Sequence, residues 1–366
     1  MGLFRRTKTV DIFFVGCEGT DIDRGIYSFY IDVTNGEILK KTFVKSLANP
    51  MSMSITKQKF RRVMNITYRN GSGKASDGGI WQYSCMELQL GLMARVGYEG
   101  RTYVASLMNP ENTYAYGLDY YNAEIVIIPI LGSKIIRVSD TLKLTGKSID
   151  PIKQTESHPT SMMFTPDQKK LIVTDMGGDE IIFFDIIEKG RLVKDEVNSI
   201  KSVPGSGPKK LLFTHDYKFA YVINEISSTI ETYTFENNHL TKIDECLTYS
   251  KDEFDGENIP TDVLITDDDR YILVTNKGDD TVVAFERDEE GKLKRFDCIE
   301  TDEGPVTMKL FRNRWLVVCS KQGGSIESFE LKAGDKKGII YETHFQFAVH
   351  GPVCMETGAE NLRVVK

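Results

Sequence analysis

A chain of 366 residues with 40% apolar content carries enough hydrophobic side chain for a large core. Its length suggests two ordinary domains, yet repetitive all-β folds reach the same length as one unit. The 46 basic and 53 acidic residues give a formal charge of −7, so neither nucleic acid nor an anionic membrane is expected as a partner.

The opening "MGLFRRTKTV" has too little hydrophobicity for a signal peptide, and Arg6 stands where a myristoylation site wants Ser or Thr. No later apolar run approaches the roughly 20 residues of a membrane helix. The next stretch, "DIFFVGCEGTDIDRGIYSFYID", is an apolar strand ending at Cys17, a turn, and a second strand of alternating pattern. The same unit returns in "RRVMNITYRNGSGKASDGGIWQYSC", "YAYGLDYYNAEIVIIPI", "KLIVTDMGGDEIIFFDI", "FAYVINEISSTIETYTF", "RYILVTNKGDDTVVAFE" and "NRWLVVCSKQGGSIESFEL". Taking the small or polar residue at each strand end as an anchor gives Cys17, Thr67, Asp119, Asp175, Asn224, Asn276 and Ser320, spaced 44 to 56 residues apart. That period, with strands throughout and no clear helix, predicts a β-propeller.

A second mark fixes the phase. About sixteen residues before most anchors a proline opens another apolar strand: Pro50, Pro159, Pro208, Pro260 and Pro305, with Tyr103 in the third repeat. Pro352 in "HGPVCMETG" is the last mark, and no anchor follows it. The C-terminal segment is therefore expected to supply the innermost strand of the first blade, closing the ring and removing exposed sheet edges. Hairpin turns are predicted at Asn35, Gly190, Glu236 and Gly291, where positive φ is needed. The polar "SKDEFDGENIP" from Ser250 reads as a surface loop between blades five and six. The fold prediction is all-β: residues 1–366 form a single seven-bladed β-propeller domain.

In such a ring the residues after each anchor and after each proline mark converge on one mouth of the central channel. The first set reads Glu18, Tyr68, Tyr120, Met176, Glu225, Lys277 and Lys321; the second includes Thr160, Lys209 and Thr261. Lys210, His158 and Asp175 are close by in sequence. Cations around an embedded carboxylate suit a small anionic ligand such as a sugar acid or phosphate. The same charges also fit a rim of mutually neutralising ion pairs.

"GSGPKKLLFTHDYKFAYVINEISSTIETY" resembles the fifth-blade signature of the bacterial lactonase family of seven-bladed propellers, which includes the propeller-type 6-phosphogluconolactonases and is similar to the fungal carboxymuconate cyclase. The resemblance covers essentially the whole chain, with the GSGP to VINE block as its specific part. It implies making or breaking a lactone ring on a sugar acid, within carbohydrate metabolism. The family's Asn-Glu pair is present as Asn224 and Glu225. Three positions depart: Thr160 replaces a His, Lys209 replaces the Arg after GSGP, with Lys210 where a His is preferred, and Lys277 replaces the sixth-blade Arg. His158 matches a second, less strict His. The lysines keep charge but lose the planar fork that grips a carboxylate or phosphate, and a threonine hydroxyl does not move a proton unaided at neutral pH.

The expected site therefore has Glu225 facing the mouth opposite Lys209 and Lys277. Glu225 or His158 handles the proton, and Asn224, Thr160, Lys210 and Asp175 contact the substrate. The alternative is a ligand-binding or scaffold propeller without turnover, favoured by the loss of His at Thr160. The six cysteines show no CxxC pair and no zinc-like spacing, so thiols that are reduced and mostly buried, a cytoplasmic location and no metal or other cofactor are expected. The acidic run from Asp252 to Glu257 lacks the ligand spacing of a calcium loop. The glycine-rich "NGSGKASDGG" from Asn70 lacks the context of a phosphate loop and reads as a hairpin tip near the channel. Trp81 and Trp315 read as core. The expected partner is a small anionic lactone, with no nucleic acid or membrane, and the expected state is a monomer or weak dimer.

Overall fold

A computed structural model describes residues 7–19, 24–58, 61–71, 77–86, 89–98, 100–332 and 338–365. The central residues of the glycine-rich hairpin after Asn70 lie outside that set. The strands form seven antiparallel sheets of four or five strands. Blade five shows the plan, running outward from the channel as Pro208–Phe213, Phe219–Asn224, Thr229–Glu236 and His239–Leu247. A three-residue 3-10 turn at Glu188–Gly190 is the only helical feature among the described residues.

Blade one is assembled from both ends of the chain. Thr7–Cys17, Gly25–Asp32 and Ile38–Lys45 are joined on the channel side by Pro352–Thr357, with Phe13 opposite Thr357 and Cys17 opposite Pro352. A short strand, Leu362–Val365, also pairs with Thr7–Val10.

The proline marks and anchors are cross-strand partners. Pro159 faces Asp175, Pro208 faces Asn224, Pro260 faces Asn276 and Pro305 faces Ser320, while Tyr103 faces Asp119. Each mark is followed by a one-residue register shift, a bulge that re-aims the next side chain. Blade two departs from the expected phase, because Pro50 pairs with Tyr68 and not with Thr67. The strand runs on to Asn70 opposite Asp77, and the Tyr68 ring occupies the space a side chain at Gly79 would take. The residue that follows the true anchor there is Arg69.

Adjacent blades are held by apolar side chains from both faces of each sheet. Among the described residues the buried side chains form seven clusters, one at each blade boundary. Alternation along single strands feeds two clusters: Leu171 and Val173 face blade three, and Ile172 faces blade five. Trp315 is buried between blades seven and one, with its Nε1 donating to the Val33 carbonyl at 2.9 Å. Trp81 is partly buried between blades one and two. The predicted turns carry positive φ at Gly36, Gly190, Asn237, Asn238 and Gly291. None of the six cysteines is in a disulfide, and four of them are buried.

Candidate functional site

One backbone contact recurs at the mouth. The N–H of the residue after the anchor donates to the carbonyl just before the proline mark: Glu18 to Gly351 at 2.9 Å, Arg69 to Asn49 at 3.1 Å, Tyr120 to Thr102 at 3.2 Å, Met176 to His158 at 3.0 Å, Glu225 to Gly207 at 2.7 Å and Lys321 to Gly304 at 2.8 Å. These bonds fix one side chain in each of six blades around a common ring, and in blade six strand pairing places Lys277 opposite Ile259.

Glu225 sits at that ring under tight local control. The "GSGP" loop folds back on it, with Gly205 and Gly207 at φ +88 and +69, a region that favours glycine. Asp179 of blade four clamps the loop, accepting the Gly205 N–H through Oδ2 and the Gly207 N–H through Oδ1, each at 2.6 Å. The loop thereby sets the height of Lys209, two residues on, against Glu225.

The Glu225 carboxylate meets two ammonium groups. Lys209 Nζ donates to Oε2 at 2.8 Å, and Lys153 Nζ approaches Oε1 at 3.5 Å. Burial pushes the carboxyl pKa up, but Lys209 first and Lys153 next outweigh burial and hold it below the usual range. Lys153 reaches the site from the connection between blades three and four, 72 residues from its partner. That connection is braced: Asp150 Oδ1 accepts the Ile152 and Lys153 N–H groups at 2.8 and 2.7 Å, and buried Gln154 donates to the Met176 carbonyl at 2.9 Å.

His158 occupies the approach to blade four. Its ring stacks on Tyr120 with centroids 4.5 Å apart and planes 12° from parallel. Nδ1 lies 3.2 Å from the Tyr120 carbonyl, an acceptor only, so Nδ1 carries the hydrogen and the neutral ring presents a bare Nε2. Nε2 has no hydrogen-bond partner among the described residues. Tyr120 ties this histidine to the carboxylate: burial first, and then the Glu225 charge, raise its phenol pKa.

The other expected contacts resolve differently. Lys277 makes no ion pair among the described residues, and Lys153 takes the place beside Glu225 expected of it. Asn224 is sealed inside blade five, where Nδ2 donates to Thr229 Oγ1 at 3.0 Å. Asp175 is buried and accepts from Ser157 Oγ and the His158 N–H, both at 2.6 Å. Burial pushes its carboxyl up, while these hydrogen bonds pull it partly back; it acts on the site through the position of His158. The Thr160 hydroxyl is 2.9 Å from Thr174 Oγ1 and donates to the Pro208 carbonyl at 3.2 Å. Thr261 does the same one blade pair on, toward Pro305 at 2.8 Å, so this is a blade-to-blade tie. Lys210 pairs with buried Asp262, which also accepts from Thr307 Oγ1 at 2.9 Å and the Met308 N–H at 3.0 Å. In the acidic run after Asp252, Glu253 pairs with Arg295 at 2.7 Å.

Two mouth residues escaped the sequence reading. Lys153 carries no repeat signal, since it lies on a connection and not on a blade. Arg69 was hidden by the one-residue shift in blade two. It lies 3.8 Å from Glu18, whose carboxylate also pairs with Lys321.

An uncharacterized protein of Staphylococcus saprophyticus is 28% identical over 206 residues, 56% of this chain and 59% of that protein's length. The 6-phosphogluconolactonase of Bacillus subtilis is 23% identical over 351 residues, covering 94% of this chain and 97% of the relative. The periplasmic gluconolactonase of Pseudomonas aeruginosa superposes with a TM-score of 0.86 at 19% identity, over 97% of this chain and 99% of that one. A sequence profile described as "Lactonase, 7-bladed beta-propeller" matches residues 12–357. The chain belongs to the lactonase family of seven-bladed β-propellers.

Proposed function

We propose that this propeller hydrolyses the lactone of a small sugar acid at the mouth formed by blades three to five. The observation that carries the reading is the pairing of Glu225 with Lys209 and Lys153 at a mouth that also holds His158, stacked on Tyr120 with its Nε2 unbonded among the described residues. The low-pKa carboxylate is a poor base, so its role is to hold the two ammonium groups in place. Lys209 and Lys153 stabilise the oxyanion that forms when water adds to the lactone carbonyl, and on a phosphorylated substrate they also meet the phosphate charge.

His158 Nε2 takes the proton from the attacking water as the new C–O bond forms. The acyl bond to the ring oxygen then breaks, and the imidazolium returns the proton to that oxygen as it becomes the hydroxyl. A relative bearing the name 6-phosphogluconolactonase over nearly its whole length supports a gluconolactone, phosphorylated or not, as the first substrate to try.

The test offers a panel of sugar-acid lactones at neutral pH and reads unfolding temperature and hydrolysis in parallel. Stabilisation with turnover is expected. Stabilisation without turnover overturns it and leaves a ligand-binding propeller.

A further inference from the structure

The same mouth holds a second cluster across the ring from Glu225. The residues after the anchors of blades seven, one and two are Lys321, Glu18 and Arg69, contiguous around the channel, and with His350, Asn49 and Gln322 they line a recess of about 480 Å³. That is room for a small metabolite.

The Glu18 carboxylate pairs with Lys321 and lies 3.8 Å from an Arg69 Nη, beyond hydrogen-bonding distance. Two cations against one carboxylate leave a formal charge of +1 before His350 is counted. Arg69 Nε is buried and has no hydrogen-bond partner among the described residues. A buried guanidinium donor without an acceptor carries a desolvation cost that an oxyanion would remove through the planar fork.

Two glycines let the segments of the wall approach closely. A Cβ on Gly19 would come within 2.6 Å of the His350 ring. One on Gly351, at φ +52, would come within 2.5 Å of the Glu18 carbonyl oxygen.

We propose that this recess is a second oxyanion site, in which Arg69 and Lys321 take the phosphate monoester or carboxylate of a small ligand. The inference does not rest on the lactonase reading, since none of its residues belongs to the cluster around Glu225.

Inorganic phosphate titrated calorimetrically into the whole protein tests it. Binding is expected in the wild type, weakened about tenfold or more, a loss of about 1.4 kcal/mol, by Arg69→Gln and by Lys321→Gln, and unchanged by Lys292→Gln, an exposed hairpin cation outside both clusters. If Arg69→Gln does not fold, as judged by its unfolding transition, the more exposed Lys321 decides. Titration with 6-phosphogluconate and gluconate separates the sources: preference for the former assigns a phosphate, equal affinity a carboxylate. Absence of binding by all three anions, or binding lost in Lys209→Gln and kept in Arg69→Gln and Lys321→Gln, overturns the proposal.

Discussion

Glu225 is one carboxylate shared by two lysines, one of them 16 residues away on its own blade and the other 72 residues away on a connection. Its folded pKa lies below the ordinary 4.5, so the ion pairs contribute stability that is fully present above that value and is lost as pH falls through the lower folded pKa. The difference in unfolding temperature between wild type and Glu225→Gln should therefore be flat above pH 4.5 and narrow below it; a difference that grows on acidification would contradict this assignment. Removing both lysines leaves burial unopposed, and in Lys153→Ala/Lys209→Ala the Glu225 carboxyl should titrate above 4.5, read by NMR. At this scale the sequence disclosed Glu225 and Lys209 because both sit at repeat positions. It did not disclose Lys153, whose meeting with Glu225 is a matter of how one connection arches over the next blade.

The "GSGP" loop shows how an element sets a site. Gly207 is at φ +69, and a Cβ there would lie 2.7 Å from Ile226 Cγ1. Gly207→Ala should cost about 1–3 kcal/mol, seen as a lower urea midpoint at unchanged slope. Asp179→Ala should cost about 1–3 kcal/mol for the buried Gly207 N–H left without an acceptor, and it should also lower activity by releasing Lys209. Thr160 is the contrasting case. Its hydroxyl ties blade four to blade five, so Thr160→Val should cost about 1 kcal/mol with turnover intact; lost turnover in a folded variant would return Thr160 to the reaction. The strand pattern and turn residues were legible because alternation and positive φ are local. The phase of blade two was not, because Thr67 resembles an anchor while its strand continues to Asn70, with Tyr68 opposite Gly79, whose missing side chain makes room for the tyrosine ring.

Closure is the property of the whole ring, and Pro352 disclosed it by standing as a mark with no anchor after it. The strand Pro352–Thr357 completes blade one and sends Met355 into the cluster between blades seven and one and Cys354 into that between one and two. A chain ending at Ala348 should lose its cooperative unfolding transition, since blade one then presents an open edge and two unfilled boundaries; a truncated chain that still melts cooperatively at the wild-type temperature would contradict this. What the ring achieves is to bring Tyr120, His158, Lys153, Lys209 and Glu225, drawn from three blades and a connection, to one mouth. The most direct test of that assembly as a lactonase is the rate of gluconolactone and 6-phosphogluconolactone hydrolysis over the spontaneous background, in wild type, His158→Gln and Lys209→Ala. The account predicts turnover by the wild type that each substitution lowers about a hundredfold or more; a folded wild type no faster than background, or a rate indifferent to both substitutions, would contradict it.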